Sequence, residues 1–166
     1  MRPVAGVLSR WLLRNVIARG LAFEREAIDA YRALEAGLRE PGRCADPELE
    51  GILSRLREEE QLHERILSDA AVGRLSVEEL ERARESHRHD RLNAIRPLPG
   101  EEAERWRPLL AAALEQEEET WIFYGNLGRM GTMPAMKKAF EVVAAMEKEH
   151  VDILRMVLGI AGSAKA

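Results

Sequence analysis

The sequence contains a single cysteine, Cys44, and this scarcity excludes several kinds of site at once. An intrachain disulfide needs two cysteines, and zinc sites or iron–sulfur clusters held by thiolates also need more than one. Because disulfides belong to oxidising compartments, a reducing cytoplasm is the expected location. A metal centre in this chain would have to use carboxylates and imidazoles instead.

The sequence also has fewer basic than acidic residues, and it lacks long apolar runs. Lys and Arg number 25 against 29 Asp and Glu, and the resulting net charge of −4 argues against a nucleic-acid-binding protein. No apolar run approaches the roughly 20 residues that a membrane-spanning helix needs, so the protein is expected to be soluble. The 166 residues, 46% of them hydrophobic, suffice for one domain with a core of its own.

The first 23 residues depart from the acidic balance of the rest. They carry four arginines and no acid around an apolar group that includes Trp11 and Leu12, a pattern shared by transit peptides and membrane-surface helices. Because the stretch continues without a break into the next helical pattern, we interpret it as an N-terminal helical extension. The expected oligomer is a homodimer, and the Trp11 region is a candidate contact.

Helical periodicity extends over nearly the whole chain. Apolar residues recur at three- and four-residue steps, and alternation of β-branched residues is missing. Proline and glycine divide the pattern into four long helices and one short helix. The expected helices run from about Val16 to about Arg39, from Pro47 to about Val72, from Val77 to about His89, from a start between Glu101 and Pro108 to about Met130, and from Thr132 or Met133 to near Gly159.

The lengths of the connections determine the expected topology. Short links make antiparallel helical hairpins over about residues 16–72 and 101–159, and the crossover of about residues 73–100 can travel the length of the bundle. Residues 1–166 are therefore predicted to form one all-α domain. It is a ferritin-like four-helix bundle with the N-terminal extension and a short crossover helix.

The motif E-x-x-H-x-x-I-L occurs twice, on the second and fourth long helices. A glutamate and a histidine three residues apart lie on one face of a helix, so both can point at one metal ion. Glu60 with His63 forms the first such pair, and Glu147 with His150 forms the second. One copy alone is a weak signal, and the repetition gives it weight.

The first and third long helices share another repeat, E-x-E-x-x-x-x-Y, from Glu24 to Tyr31 and from Glu117 to Tyr124. The offsets of the two repeats, 117 − 24 = 93 and 147 − 60 = 87, indicate a duplicated hairpin. Alignment of the tyrosines favours Glu117 over its neighbour Glu118 as the inward residue. The tyrosines are either core aromatics or hydrogen-bond partners of the carboxylates, since helical side chains lean toward the N-terminus.

All four repeated glutamates fall on stripes of apolar residues. A carboxylate in the core of a bundle is costly unless it is paired or bound to a metal. Four carboxylates carry four negative charges, which two divalent cations balance. Carboxylate oxygens together with two imidazoles suit iron or manganese, and zinc is another occupant of such a site.

This arrangement resembles the rubrerythrin branch of the ferritin-like di-iron proteins over about residues 16–158. The resemblance implies two iron ions, with Glu60 and Glu147 as the bridging pair, and six ligands: Glu24, Glu60, His63, Glu117, Glu147 and His150. The chain departs from rubrerythrins proper because its single cysteine is too few to ligate the iron of a rubredoxin domain. It also has Thr120 at a position where rubrerythrins proper share an extra glutamate. We therefore expect its site to be more symmetric than theirs.

The resemblance implies a non-haem di-iron oxidoreductase that oxidises Fe²⁺ or reduces H₂O₂ or O₂. The electrons would come from an external donor protein or from Fe²⁺ itself. The alternative is a non-catalytic iron-binding or storage protein. A bundle that has lost its metal is disfavoured, because such a bundle gains stability when buried carboxylates are replaced by leucine.

Overall fold

The computed structural model describes residues 3–40, 47–86, 95–98 and 100–160. Helices dominate this part of the chain, and it contains no β-strand. The five helices are α1 (Pro3–Leu38), α2 (Pro47–Ala71), α3 (Val77–Ser86), α4 (Gly100–Met130) and α5 (Pro134–Val157). The prediction of an all-α protein is therefore confirmed. Cys44, the expected helix end near His89 and the Trp11 side chain lie outside the described residues.

The four long helices form two antiparallel hairpins. Arg39 near the end of α1 pairs with Glu50 near the start of α2 at 2.6 Å, and Arg25 pairs with Glu64 farther along α2 at 2.7 Å. In the second hairpin, Arg155 near the end of α5 pairs with the mid-helix Glu118 of α4 at 2.7 Å. Between the hairpins, α2 faces α5 and α1 faces α4. The predicted ferritin-like bundle is confirmed.

The N-terminal extension is the first part of α1 and not a separate element. At about 1.5 Å per residue, the 36 residues of α1 span about 54 Å and the 25 residues of α2 span about 37 Å. Because α1 and α2 pair near the end of one and the start of the other, the excess length of α1 falls at its N-terminal end. Helix α4 begins at Gly100, so Pro108 lies inside it and leaves one backbone carbonyl without its helical donor.

The core consists of two apolar clusters with a polar layer between them. One cluster packs around the end of α1 and the start of α2, and includes Leu38, Leu53 and Leu154. The other packs around the end of α2 and the start of α5, and includes Leu67 and Phe140. Helix α3 covers part of the second cluster, with Leu80 fully buried. No described helix is both long and apolar enough to cross a membrane.

Candidate metal centre

The layer between the two apolar clusters contains all six side chains that the repeats single out. Each long helix reaches this level with its motif, because apolar residues of one cluster precede the motif and those of the other follow it. None of the six exposes more than 2% of its surface: Glu24, Glu60, His63, Glu117, Glu147 and His150. The folding of four helices therefore brings four carboxyls and two imidazoles to one buried location.

The carboxylates are arranged around the Nδ1 atom of each histidine. His63 Nδ1 lies 3.1 Å from Glu147 Oε1, 3.3 Å from Glu60 Oε2 and 3.3 Å from Glu24 Oε2. The two imidazole rings are stacked, with their centroids 5.1 Å apart and their planes 20° from parallel. The ring of His150 therefore presents a second, neighbouring Nδ1 to the same cluster.

His150 Nδ1 has the corresponding set of neighbours. It lies 2.7 Å from Glu60 Oε1, 3.6 Å from Glu147 Oε2 and 3.5 Å from Glu117 Oε2. Glu60 and Glu147 thus stand between the two histidines, with one oxygen toward each ring. Ligand atoms of these two glutamates and both histidines all lie within 4.8 Å of one another, a group that could hold a metal ion.

Several of these atoms are close together without forming hydrogen bonds. Glu24 Oε2, Glu60 Oε1, Glu147 Oε2 and His150 Nδ1 are buried, and none has a hydrogen-bond partner within the described part of the chain. Buried polar atoms without partners are rare in folded proteins, because each costs about 1–3 kcal/mol. Carboxyl oxygens and imidazole nitrogens that converge in this way are the arrangement that a cation would complete.

Burial and mutual charge divide the carboxyls into two kinds. Burial raises the pKa of Glu24 well above its ordinary value, and the charge of Glu147 adds to the effect. Burial likewise raises the pKa of Glu117, with the charge of Glu60 as the next cause. Burial acts in the same direction on Glu60 and Glu147, but the facing histidines outweigh it and hold the pKa of each below its ordinary value.

The histidines respond in the opposite way. Burial would lower the pKa of His63 and His150, but the charges of Glu147 and Glu60 raise the pKa of both rings well above the ordinary value. If two carboxyls and both rings were protonated and the other two carboxyls ionised, the cluster would be neutral without metal. With every carboxyl ionised and both rings neutral, the same cluster carries four negative charges, which two divalent cations would balance.

Each tyrosine donates a hydrogen bond to the glutamate of the other helix. Tyr31 of α1 donates to Glu117 Oε1 of α4 at 2.6 Å, and Tyr124 of α4 donates to Glu24 Oε1 of α1. Burial raises the pKa of both phenols, with the charge of the adjacent glutamate as the next cause, so both keep their protons. In each glutamate the second oxygen, Oε2, is left to face a histidine.

The structure distinguishes the two adjacent glutamates of α4. Glu117 points into the cluster, whereas the side chain of Glu118 is 38% exposed and pairs with Arg155. Thr120 is buried, but its hydroxyl donates to the backbone carbonyl of Gln116 at 2.9 Å. The Thr120 hydroxyl is therefore bonded within its own helix and adds no carboxylate to the cluster.

One residue of the site was not identified from the sequence. Glu59 is 7% exposed, and its Oε2 lies 2.9 Å from Nε2 of His150, the ring nitrogen that faces away from the other carboxylates. Its other oxygen pairs with Arg55 at 3.0 Å. Burial alone would raise the pKa of Glu59, but bonds with His150 and Arg55 hold it below its ordinary value. The only sequence signal is its place next to Glu60 in an acidic run.

The sequence matches one family of known proteins over most of its length. The family model named Rubrerythrin matches residues 15–158, which include all four long-helix motifs. No curated protein and no solved structure matched the chain. Because the matched region covers well over half of the sequence, the chain belongs to the rubrerythrin family.

Proposed function

We propose that the protein is a non-haem di-iron oxidoreductase that oxidises Fe²⁺ or reduces H₂O₂ or O₂ at the buried Glu/His cluster. The observation that supports this most directly is the convergence of buried lone pairs without hydrogen-bond partners. Family membership adds to it, because the family is one of di-iron carboxylate proteins. Manganese and zinc are alternative occupants of the same donor set.

The distances to the two histidines suggest how the six residues would be divided between two metal ions. Glu24 and His63 would hold one ion, and Glu117 and His150 would hold the other, because each of these glutamates approaches a different histidine. Glu60 and Glu147 approach both rings, so they would be the residues shared by the two ions. When bound, two ferrous ions supply one electron each for the reduction of O₂ or H₂O₂.

The surrounding residues prepare the cluster for this chemistry. Tyr31 donates a hydrogen bond to one oxygen of Glu117, and Tyr124 donates one to one oxygen of Glu24. Each bond orients the other oxygen of that glutamate toward the centre. The apolar clusters on both sides exclude bulk water, so charge interactions within the layer are stronger than they would be in solution.

We further propose an external electron donor, a homodimeric assembly and a cytoplasmic location.

The test compares two adjacent glutamates of α4. Glu117→Gln replaces a carboxyl of the cluster by an amide, whereas Glu118→Gln makes the same replacement in a partly exposed ion pair on the same helix. We expect Glu117→Gln to lose rapid oxidation of added Fe²⁺ and to bind fewer than two ions per chain. Glu118→Gln should behave as the wild type, and circular dichroism should show equal helical content in all three proteins.

The outcome also separates catalysis from storage. Repeated consumption of H₂O₂ by sub-stoichiometric protein, with added Fe²⁺ as the electron donor and at a rate above that without protein, supports the oxidoreductase. Binding of iron without turnover supports the non-catalytic alternative. If Glu117→Gln retains wild-type oxidation rates and two ions per chain, the cluster is not the site and the proposal is wrong.

A further inference from the structure

The two histidines of the cluster differ at the nitrogen that faces away from it. His150 Nε2 lies 2.9 Å from the carboxylate of Glu59. His63 Nε2 is buried and has no hydrogen-bond partner among the described residues. The six residues that face the centre are related by the internal repeat, so this difference is a break in an otherwise symmetric arrangement.

The Glu59 contact determines where the proton of a neutral His150 ring resides. Glu59 also pairs with the Arg55 guanidinium at 3.0 Å, and a carboxylate held in this way is an acceptor. A neutral His150 ring must then carry its hydrogen on Nε2 and donate it outward. Its Nδ1 lone pair is thereby directed at the carboxylates of the centre, in the form that a cation can bind.

The two halves of the repeat differ in the residue that precedes the glutamate of E-x-x-H. Glu59 directly precedes Glu60, and the residue that directly precedes Glu147 is Met146. Met146 is 5% exposed, and its thioether is at best a weak acceptor. The second half of the chain therefore offers no carboxylate at the position equivalent to Glu59.

We propose that Glu59 is a positioning residue that makes the two metal positions unequal, so that the position served by His150 binds a divalent cation more tightly and fills first. A carboxylate on the outer nitrogen fixes the ring and raises the basicity of the ligating nitrogen. His63 lacks this support. The inference rests on the proposed metal centre, and it adds an order of loading and a defined state with one ion per chain.

The first experiment is a titration of metal-free protein with Co²⁺, followed by calorimetry and by the visible absorption of the bound ion. The wild type should show two binding steps of different affinity. Glu59→Gln should weaken the tighter step by about 10- to 100-fold and leave the other nearly unchanged. Glu58→Gln is the matched control, because its side chain is 67% exposed on the preceding position and it removes the same charge.

The second experiment locates the effect. In Zn²⁺-loaded protein with ¹⁵N-labelled histidine, the Nε2 resonances of His150 and His63 should differ. Glu59→Gln should shift the His150 resonance and leave that of His63 in place. Arg55→Gln provides a milder variant, since it loosens Glu59 from a partly exposed position; it should move the same resonance and the same binding step by a smaller amount.

The possible results separate this inference from the proposed function. Two equal binding steps in the wild type would overturn the inequality while leaving a two-metal centre in place. Unequal steps that neither Glu59→Gln nor Arg55→Gln alters would overturn the role of Glu59. A wild-type protein that binds neither Co²⁺ nor Zn²⁺ at the cluster would refute the metal centre itself.

Discussion

Replacing Gly20 by alanine probes a close approach between α1 and α4. A Cβ atom at Gly20 would lie 2.8 Å from the hydroxyl oxygen of Tyr124 and 3.2 Å from its Cε1. Ordinary contact begins near 3.4 Å, so the phenol oxygen would have to move by about 0.6 Å (3.4 − 2.8). The ring has little room to do so, because it is fully buried and packs against Phe123 and Phe140 at 5.2 and 6.0 Å.

The size of the effect follows from three opposing contributions. An added methyl group in a packed core costs about 1–3 kcal/mol. Burial raises the pKa of Glu24, so its carboxyl is taken as neutral in the metal-free protein, and loss of the bond from Tyr124 to it costs about 0.5–1.5 kcal/mol. Alanine in place of glycine inside a helix returns about 1 kcal/mol. We therefore expect Gly20→Ala to lower the free energy of unfolding by about 0.5–3.5 kcal/mol.

Urea denaturation of the metal-free protein measures this change. Gly51→Ala is the control, because Gly51 lies inside α2 and a Cβ there would meet nothing within 4 Å. The control should stabilise the protein by about 1 kcal/mol. In a Tyr124→Phe background the 2.8 Å contact no longer exists, so Gly20→Ala should be markedly less harmful there. If the Gly20→Ala and Gly51→Ala proteins are equally stable, Tyr124 does not pack tightly against Gly20 of α1 and the reasoning is refuted.

Three further predictions concern the site and the crossover. Tyr31→Phe should weaken Co²⁺ binding by about 10-fold with unchanged helical content, since Glu117 loses the donor that orients it; unchanged affinity in the titration would contradict this role. Chelation should lower the melting temperature of metal-loaded protein, because an ion at 100 times its Kd raises the free energy of unfolding by about 2.7 kcal/mol per site. Calorimetry with and without EDTA tests this, and coincident melting curves would count against it. Ser76→Ala should cost about 1 kcal/mol by removing the cap in which Ser76 and Glu79 bond each other's backbone N–H, and faster hydrogen exchange confined to α3 would reveal it.

The helices and the inward residues of the motifs were accessible from the sequence because both depend on local periodicity. A residue three or four positions along a helix must lie on the same face, so E-x-x-H and its apolar flanks specify which side chains point inward. The repeat then identifies equivalent positions in the two hairpins, which is how Glu117 was distinguished from Glu118. The structure places Glu117 in the cluster and Glu118 in an ion pair.

Contacts between helices were not accessible in the same way. The lean of Tyr31 and Tyr124 toward the N-terminus indicated that they approach carboxylates, but the choice of the opposite helix depends on how α1 and α4 cross. Glu59 resembles a solvated acid within a charged run, and only the packing of α2 against α5 brings it to His150.

By itself the sequence determined an all-α bundle of two similar hairpins, each contributing a glutamate, an E-x-x-H pair and a tyrosine to its interior. These features are properties of single helices, and the period of 3.6 residues per turn is enough to derive them. The tertiary structure alone decided which lone pairs converge, which tyrosine serves which glutamate and which histidine receives an outer carboxylate. Such contacts join residues about 90 positions apart, and their distances depend on helix packing that no local pattern encodes.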